Sequence, residues 1–228
     1  MEQNTTETPV KPEKSRLTLE DLLTIYKKPV SYVFGGLLVI IIGYFAFESF
    51  YLQPQEESAQ KEIIGAQRYF DLDSLKLALN GDKTTSGFLK IADDYGMTRT
   101  GKLAHYYAGV ILLQQGKYED AIDHLKSFNL DSKILTPMAL GAIGDAYSQL
   151  KQYDEAASYY MKAAAKDDNK FTAPRYYKKA GLVYEELKKY QDAVNAYQTV
   201  KDKFPNTYEF NKIDAYIQRA QAKLDSEK

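Results

Sequence analysis

Two histidines and a few adjacent carboxylates are the residues in this 228-residue chain whose types could do chemistry. His105 and His124 stand 19 apart and could share a metal ion or a proton. Asp93-Asp94, Asp167-Asp168 and Glu185-Glu186 could serve as acid and base if their carboxyls converged, but sequence neighbours on a helix or loop point different ways. The repeat register derived below sets His105 on a first helix and His124 on a second, and core or surface histidines are a simpler expectation than a metal pair. Cysteine is absent, which removes both a disulfide framework and a thiolate metal site. There is no phosphate-binding glycine loop, nucleophile elbow or zinc-protease helix. The chain is therefore expected to be no enzyme, with no cofactor and no metal.

What remains is binding, and the elements that position a binding surface begin with an apolar stretch. From Val30 to Phe47 (VSYVFGGLLVIIIGYFAF) eighteen residues carry no charge, and Lys28 and Glu48 bound them. At helical rise they span about 27 Å, the thickness of a bilayer's hydrocarbon core. Their eleven Val, Leu, Ile and Phe residues favour insertion by about 3 to 7 kcal/mol in sum. Tyr26 and Tyr32 fall near one end, Tyr44 and Tyr51 near the other, where a ring can face lipid and its hydroxyl water. The competing reading, a buried helix of a soluble core, finds little in the polar remainder of the chain to bury it. Ser31 with Gly35, and Gly36 with Gly43, are small residues at helical spacing and form a candidate contact for a second membrane helix.

Orientation follows from the flanks. Lys11, Lys14, Arg16, Lys27 and Lys28 precede the span, and the first cation after it is Lys61, so the N-terminus is expected in the cytoplasm and residues 48–228 outside it. A cleaved signal peptide fits less well, because about thirty mostly polar residues precede the apolar run. Residues 1–14 read as a disordered tail, and Leu19, Leu22, Leu23 and Tyr26 share one side of a short amphipathic helix. That helix suits the membrane surface or a cytoplasmic partner. Net charge is −1, with five cations and five anions in the first 47 residues and hence 25 and 26 in the rest, so bulk electrostatics offers nothing to nucleic acid.

Beyond the span, Pro54 is expected to break the helix, ESAQKEIIGAQRYFDLDSLKLALNGD to form one helix or two ending near Gly81, KTTSG a loop and FLKIADDYG a short helix. A period then appears. Gly109, Gly144 and Gly181 are each followed twelve residues later by Ala121, Ala156 and Ala193, and three before each alanine stands Tyr118, Tyr153 or Tyr190. Leu112, Tyr147 and Tyr184 match three after the glycine; Leu125, Tyr160 and Tyr197 match four after the alanine. Two antiparallel helices can cross closely where small residues meet, so glycine is expected midway along each first helix and alanine early in each second one. Each pair leaves an apolar face exposed, so the copies must stack.

This pattern resembles the tetratricopeptide repeat, over about residues 101–206, with Pro205 in the place of the closing proline and His105, Leu140 and Tyr177 where tryptophan is usual. The resemblance implies an all-α fold, an N-terminal transmembrane helix followed by a tetratricopeptide-like α-solenoid. Its domains would be a cytoplasmic tail with a short amphipathic helix (1–29), the transmembrane helix (30–50), N-terminal helices of the exported domain (51–100), three repeats (101–206) and a capping helix (207–228) whose polar face includes Lys212, Asp214, Gln218, Arg219 and Gln221. It also implies a partner-binding groove along the first helices, lined by Tyr106, Val110 and Leu113, then Gly141, Asp145 and Ser148, then Arg175, Lys178, Leu182 and Glu185, running from apolar to charged.

The whole layout is similar to the ancillary subunit of the bacterial Sec translocon, a single-pass inner-membrane family with a periplasmic repeat domain. That resemblance implies translocon subunits, a membrane-anchored periplasmic chaperone and exported clients as partners. A scaffold of another envelope complex, in cell-wall synthesis, division or outer-membrane assembly, is the alternative. The missing cysteine argues against a lipoprotein, and mitochondrial or peroxisomal adaptors of this kind usually carry their anchor at the C-terminus.

Overall fold

The computed structural model describes residues 19–227, which fall into two compact units divided after Tyr51. The tail expected over residues 1–14 lies outside the described residues. In the first unit, α1 (Leu19–Phe47) runs through Pro29 without a break, so the expected amphipathic segment and the apolar stretch share one helix. A helical segment beginning at Phe34 is long and apolar enough to cross a membrane, by length and composition. Gly35, Gly36 and Gly43 have open space where a Cβ would stand.

Pro54 does not break the helix. A single π-helical turn, Glu48–Leu52, precedes α2 (Gln53–Asp71), and the proline occupies the first turn of α2. There, in the first turn, its missing amide proton costs little.

The second unit is all helical among the described residues. After α2 come α3 (Leu75–Asn80) and α4 (Phe88–Asp94), then three pairs: α5 (Arg99–Gln114) with α6 (Tyr118–Ser127), α7 (Leu135–Gln149) with α8 (Tyr153–Lys166), α9 (Ala173–Glu186) with α10 (Tyr190–Lys203). A last helix, α11 (Phe210–Ser226), packs on α10. Glu56 of α2 ties the start to the repeats: its carboxylate accepts from the Thr100 amide at 3.0 Å and the Thr100 hydroxyl at 2.7 Å, filling donors that the first turn of α5 leaves open. Burial works to raise the pKa of Glu56, and the Thr100 donors with Gln60 and Thr98 outweigh it and hold it below the ordinary carboxylate value.

Every pair turns in the same way. Gly116, Lys151 and Lys188 take left-handed φ of 76°, 58° and 57°. The next amide in each case reaches back five residues, Lys117 to Leu112, Gln152 to Tyr147 and Lys189 to Tyr184, at 2.9 to 3.0 Å. These are the closing bonds of a left-handed helix stop, in which a lysine tolerates the strain twice because the turn is over-determined by two hydrogen bonds.

The glycines do more than let small residues meet. A Cβ on Gly109 would lie 2.6 Å from Leu125 Cγ, one on Gly144 2.7 Å from Tyr160 Cδ1 and one on Gly181 2.3 Å from Tyr197 Cε1. In the sequence reading these large residues fill space beside the crossing. In the fold the large residue of each second helix lies on the glycine itself, with Ala121, Ala156 and Ala193 buried alongside. Gly141 has a parallel task between repeats, since the Tyr176 ring of the next first helix covers it at 2.0 Å from the would-be Cβ.

Candidate protein-interaction face

The first helices present corresponding positions in a row. One residue after the glycine stand Val110, Asp145 and Leu182, and four after it Leu113, Ser148 and Glu185, so the row is apolar in the first repeat and acidic in the second and third. Two open clefts lie along it and meet at Ser148. One, about 390 Å³, has Leu113, Tyr118, Asp145 and Lys179 in its wall. The other, about 480 Å³, has Tyr153, Leu182, Glu185 and Arg219. A third, along α8 between Asp154 and Lys189, uses none of the predicted groove residues.

The predicted lining separates into accessible and inaccessible members. Val110, Leu113, Asp145, Ser148 and Lys178 are half-buried, and Arg175 and Leu182 are exposed. Tyr106 is 8% exposed and packs on Phe128 with ring centroids 5.3 Å apart, so it belongs to the core rather than to an open surface. Gly141 lies under Tyr176. Glu185 is also buried, its side chain 4% exposed. Ser31, Gly35, Gly36 and Gly43 belong to the other unit, and the Ser31 side chain lies outside the described residues.

The two acids of the row are already paired. Asp145 accepts from the Tyr160 hydroxyl at 2.5 Å and from Lys179 Nζ, which comes from the next first helix. Glu185 accepts from the Tyr197 hydroxyl at 2.8 Å, from Arg219 Nε at 3.0 Å and Nη2 at 2.6 Å, and from Lys223 Nζ at 2.9 Å. The fork of Arg219 grips the carboxylate with two bonds, the geometry guanidinium provides and ammonium does not. The two networks are built from the same parts at different register positions, Asp145 one residue after its glycine and Glu185 four after. Tyr160 and Tyr197 are the large residues that cover the glycines, and Asp145 to Lys179 and Glu185 to Arg219 are each 34 residues apart, reaching in both cases to the next helix pair or the last helix. Sequence reasoning missed Lys179 and Lys223 and placed Arg219 on the outer face, because no local pattern links an acid to a cation 34 or 38 residues later.

The electrostatics follow the burial. Burial works to raise the Glu185 pKa, and Arg219, Lys223 and Tyr197 outweigh it, so the carboxylate sits below its ordinary value. Burial, followed by the neighbouring carboxylate, pushes the Tyr160 and Tyr197 hydroxyls well up, and burial lifts Tyr176 to about 12. All three stay protonated donors. Arg219, expected on the outer polar face of the last helix, instead turns in toward α9, while Asp214 of that face pairs with Lys201 at 2.7 Å. The two acids of the row are thus satisfied internally, and what it leaves for a partner is the exposed Arg175 and Leu182 with the part-exposed Val110 and Leu113.

The histidines do meet. His105 of α5 and His124 of α6 approach Nδ1 to Nδ1 at 3.0 Å across the first pair, which requires one ring to donate and the other to accept. Among the described residues no group of three or more His, Cys, Asp or Glu side chains is placed to hold a metal. Burial lowers both pKa values, and His124 lowers that of His105 further. A depressed folded pKa means the unfolded chain takes up protons first, so stability falls as pH drops through the ordinary imidazole range. Urea midpoints between about pH 7 and 5 are expected to fall in the natural protein and to flatten in the His105→Gln, His124→Gln double variant.

Comparison with known proteins agrees with this architecture. Three tetratricopeptide-repeat family profiles match, over residues 99–128, 139–165 and 178–207, one on each helix pair. No curated protein sequence matches the chain. Two solved structures of the protein MamA are similar, one at TM-score 0.52 and 18% identity, covering 71% of this chain and 95% of that one, the other at 0.53 and 17%, covering 75% and 94%. At that identity the likeness is one of fold. The three helix pairs are thus tetratricopeptide-like repeats stacked in an α-solenoid, an architecture of the kind that binds other proteins.

Proposed function

We propose that this protein is a membrane-anchored, non-enzymatic scaffold of the bacterial envelope, with α1 in the inner membrane, the repeats in the periplasm and the Sec translocon with its periplasmic chaperones as the machinery it serves. The observation that carries the binding part is the first-helix row: apolar and part-exposed at Val110, Leu113 and Leu182, with its acids Asp145 and Glu185 engaged internally. A face of that kind suits an extended apolar segment and has no unpaired buried charge to repel one. The anchor part is supported by the charge-free run of α1 and by the five cations before it.

The test is photocrosslinking in bacterial cells, with reactive side chains placed one at a time at Gly36, Gly43, Val110 and Lys178. Channel subunits at the two α1 positions, with exported proteins or a chaperone at the two repeat positions, are the expected products. One folded envelope enzyme or division protein at all four would make the chain a scaffold of that complex instead.

A further inference from the structure

The exposed apolar side chains of the repeats are not scattered. Ile64, Leu72 and Leu77 are exposed before the repeats. From Met97 onward, the large apolar residues with most of their surface in water are Met97 (62%), Ile134 (52%), Phe171 (74%) and Tyr208 (67%), and the other exposed one in this range, Leu182, is at 36%. Those four are spaced 37, 37 and 37 residues apart. Each stands in the loop that leads into a first helix or into α11, Met97 twelve residues before its repeat's glycine and Ile134 and Phe171 ten before theirs, and these loops follow one another along one edge of the solenoid.

These loops are built to hold the side chains outward. The Thr98 hydroxyl donates to the Tyr95 carbonyl and accepts from the Gly101 amide. Ser132 Oγ accepts from the Ile134 and Leu135 amides, and Asn169 Oδ1 accepts from the Phe171 and Thr172 amides. Thr207 donates to the Phe204 carbonyl and accepts from the Phe210 amide. Capping side chains therefore fix each turn while the apolar residue takes no part in the core. A cation stands near each one in sequence: Arg99, Lys133, Lys170 and Lys212, the last with its Nζ 5.4 Å from the Tyr208 ring centre.

We infer that this edge rests on the headgroup layer of a phospholipid bilayer. Tips one repeat apart, with polar caps between them, make poor contact with a shaped protein surface, which needs a contiguous patch. A fluid interface accepts isolated apolar side chains and lets neighbouring lysine and arginine stems reach the phosphates. Asp131, paired with Lys166 at 3.0 Å, and Asp167, Asp168 and Glu209 share the loops, so the edge is mixed in charge and apolar insertion carries the binding. The choice of a bilayer as occupant rests on α1 being a membrane anchor.

The absence of cysteine allows clean single-site labelling of the full chain in vesicles. An environment-sensitive nitrobenzoxadiazole dye is attached at Met97→Cys, Phe171→Cys or Tyr208→Cys, at Ser158→Cys on the exposed side of α8, and at Val39→Cys in α1. Nitroxide-bearing lipids are expected to quench the three loop labels several-fold more than the Ser158 label, with little change in high salt. Loop labels quenched no more than Ser158 while Val39 is quenched would overturn the edge contact and leave the anchor standing; quenching at neither would remove both. Quenched loop labels without quenching at Val39 would keep the edge contact and remove the anchor. Loop labels shielded from aqueous iodide yet untouched by nitroxide lipids would mean a protein, such as a second copy, covers the edge, and the inference would fail.

Discussion

Gly181→Ala is expected to lower the stability of the repeat domain by about 2 kcal/mol, where the same change in an ordinary helix interior raises it by about 1. The sign decides the matter. Helix propensity favours alanine, but its Cβ would stand 2.3 Å from Cε1 and 2.6 Å from Cζ of Tyr197. That ring is fully buried, tilted against Tyr216 at 5.4 Å and held at its hydroxyl by Glu185, so it cannot swing aside. Moving it would shift α10 from α9 and break the carboxylate network together. Gly144→Ala should behave alike, because Tyr160 is pinned by Asp145 in the same manner. Urea denaturation of each variant measures the effect; an unchanged or raised midpoint would show that the tyrosine is not fixed on the glycine.

Removing the Glu185 carboxylate is expected to cost about 2 to 3 kcal/mol in Glu185→Ala, and less in Glu185→Gln, which retains an acceptor for Tyr197. Arg219 and Lys223 are about half exposed and can turn to water, which keeps the loss below that of a fully enclosed ion pair. The Tyr197 hydroxyl has no such escape and would be left buried without its acceptor. The pH dependence has a definite sign. The folded pKa of Glu185 is depressed, so its stabilisation is complete above the ordinary glutamate value of 4.5 and is lost as pH falls through the lower folded value. The natural protein should therefore lose stability on acidification below about pH 5, and both variants should show a shallower acid limb. Equal acid slopes in variant and natural protein would mean that the carboxylate is not held by these cations.

The two networks also bear on binding. Acids predicted to face a partner are spent on joining one repeat to the next, so the repeats are locked in register by Asp145 with Lys179 and by Glu185 with Arg219. The first repeat has no counterpart, with Val110 and Leu113 at the corresponding places and Leu125 in place of tyrosine. In the first repeat those positions are apolar and pack in part on the core of the pair, leaving one side of each in reach of another chain.

The sequence by itself determined the helix pairs and their period, because these rest on local chemistry: a glycine midway along each first helix, an alanine early in each second one and apolar residues at helical spacing. It also determined that α1 could cross a membrane, since length and the absence of charge are one-dimensional properties. The tertiary structure alone decided which side chains are accessible. Tyr106 and Glu185 occupy the same helix face as Leu113 and Ser148 in register, yet stacking on Phe128 buries one and the cations of α11 cover the other. It likewise decided that His105 and His124 touch and that Arg219 turns inward, contacts set by neighbours 19 and 34 residues away. Local pattern fixes which face a residue occupies; exposure depends on what the next repeat places against it, and that is a property of the stack.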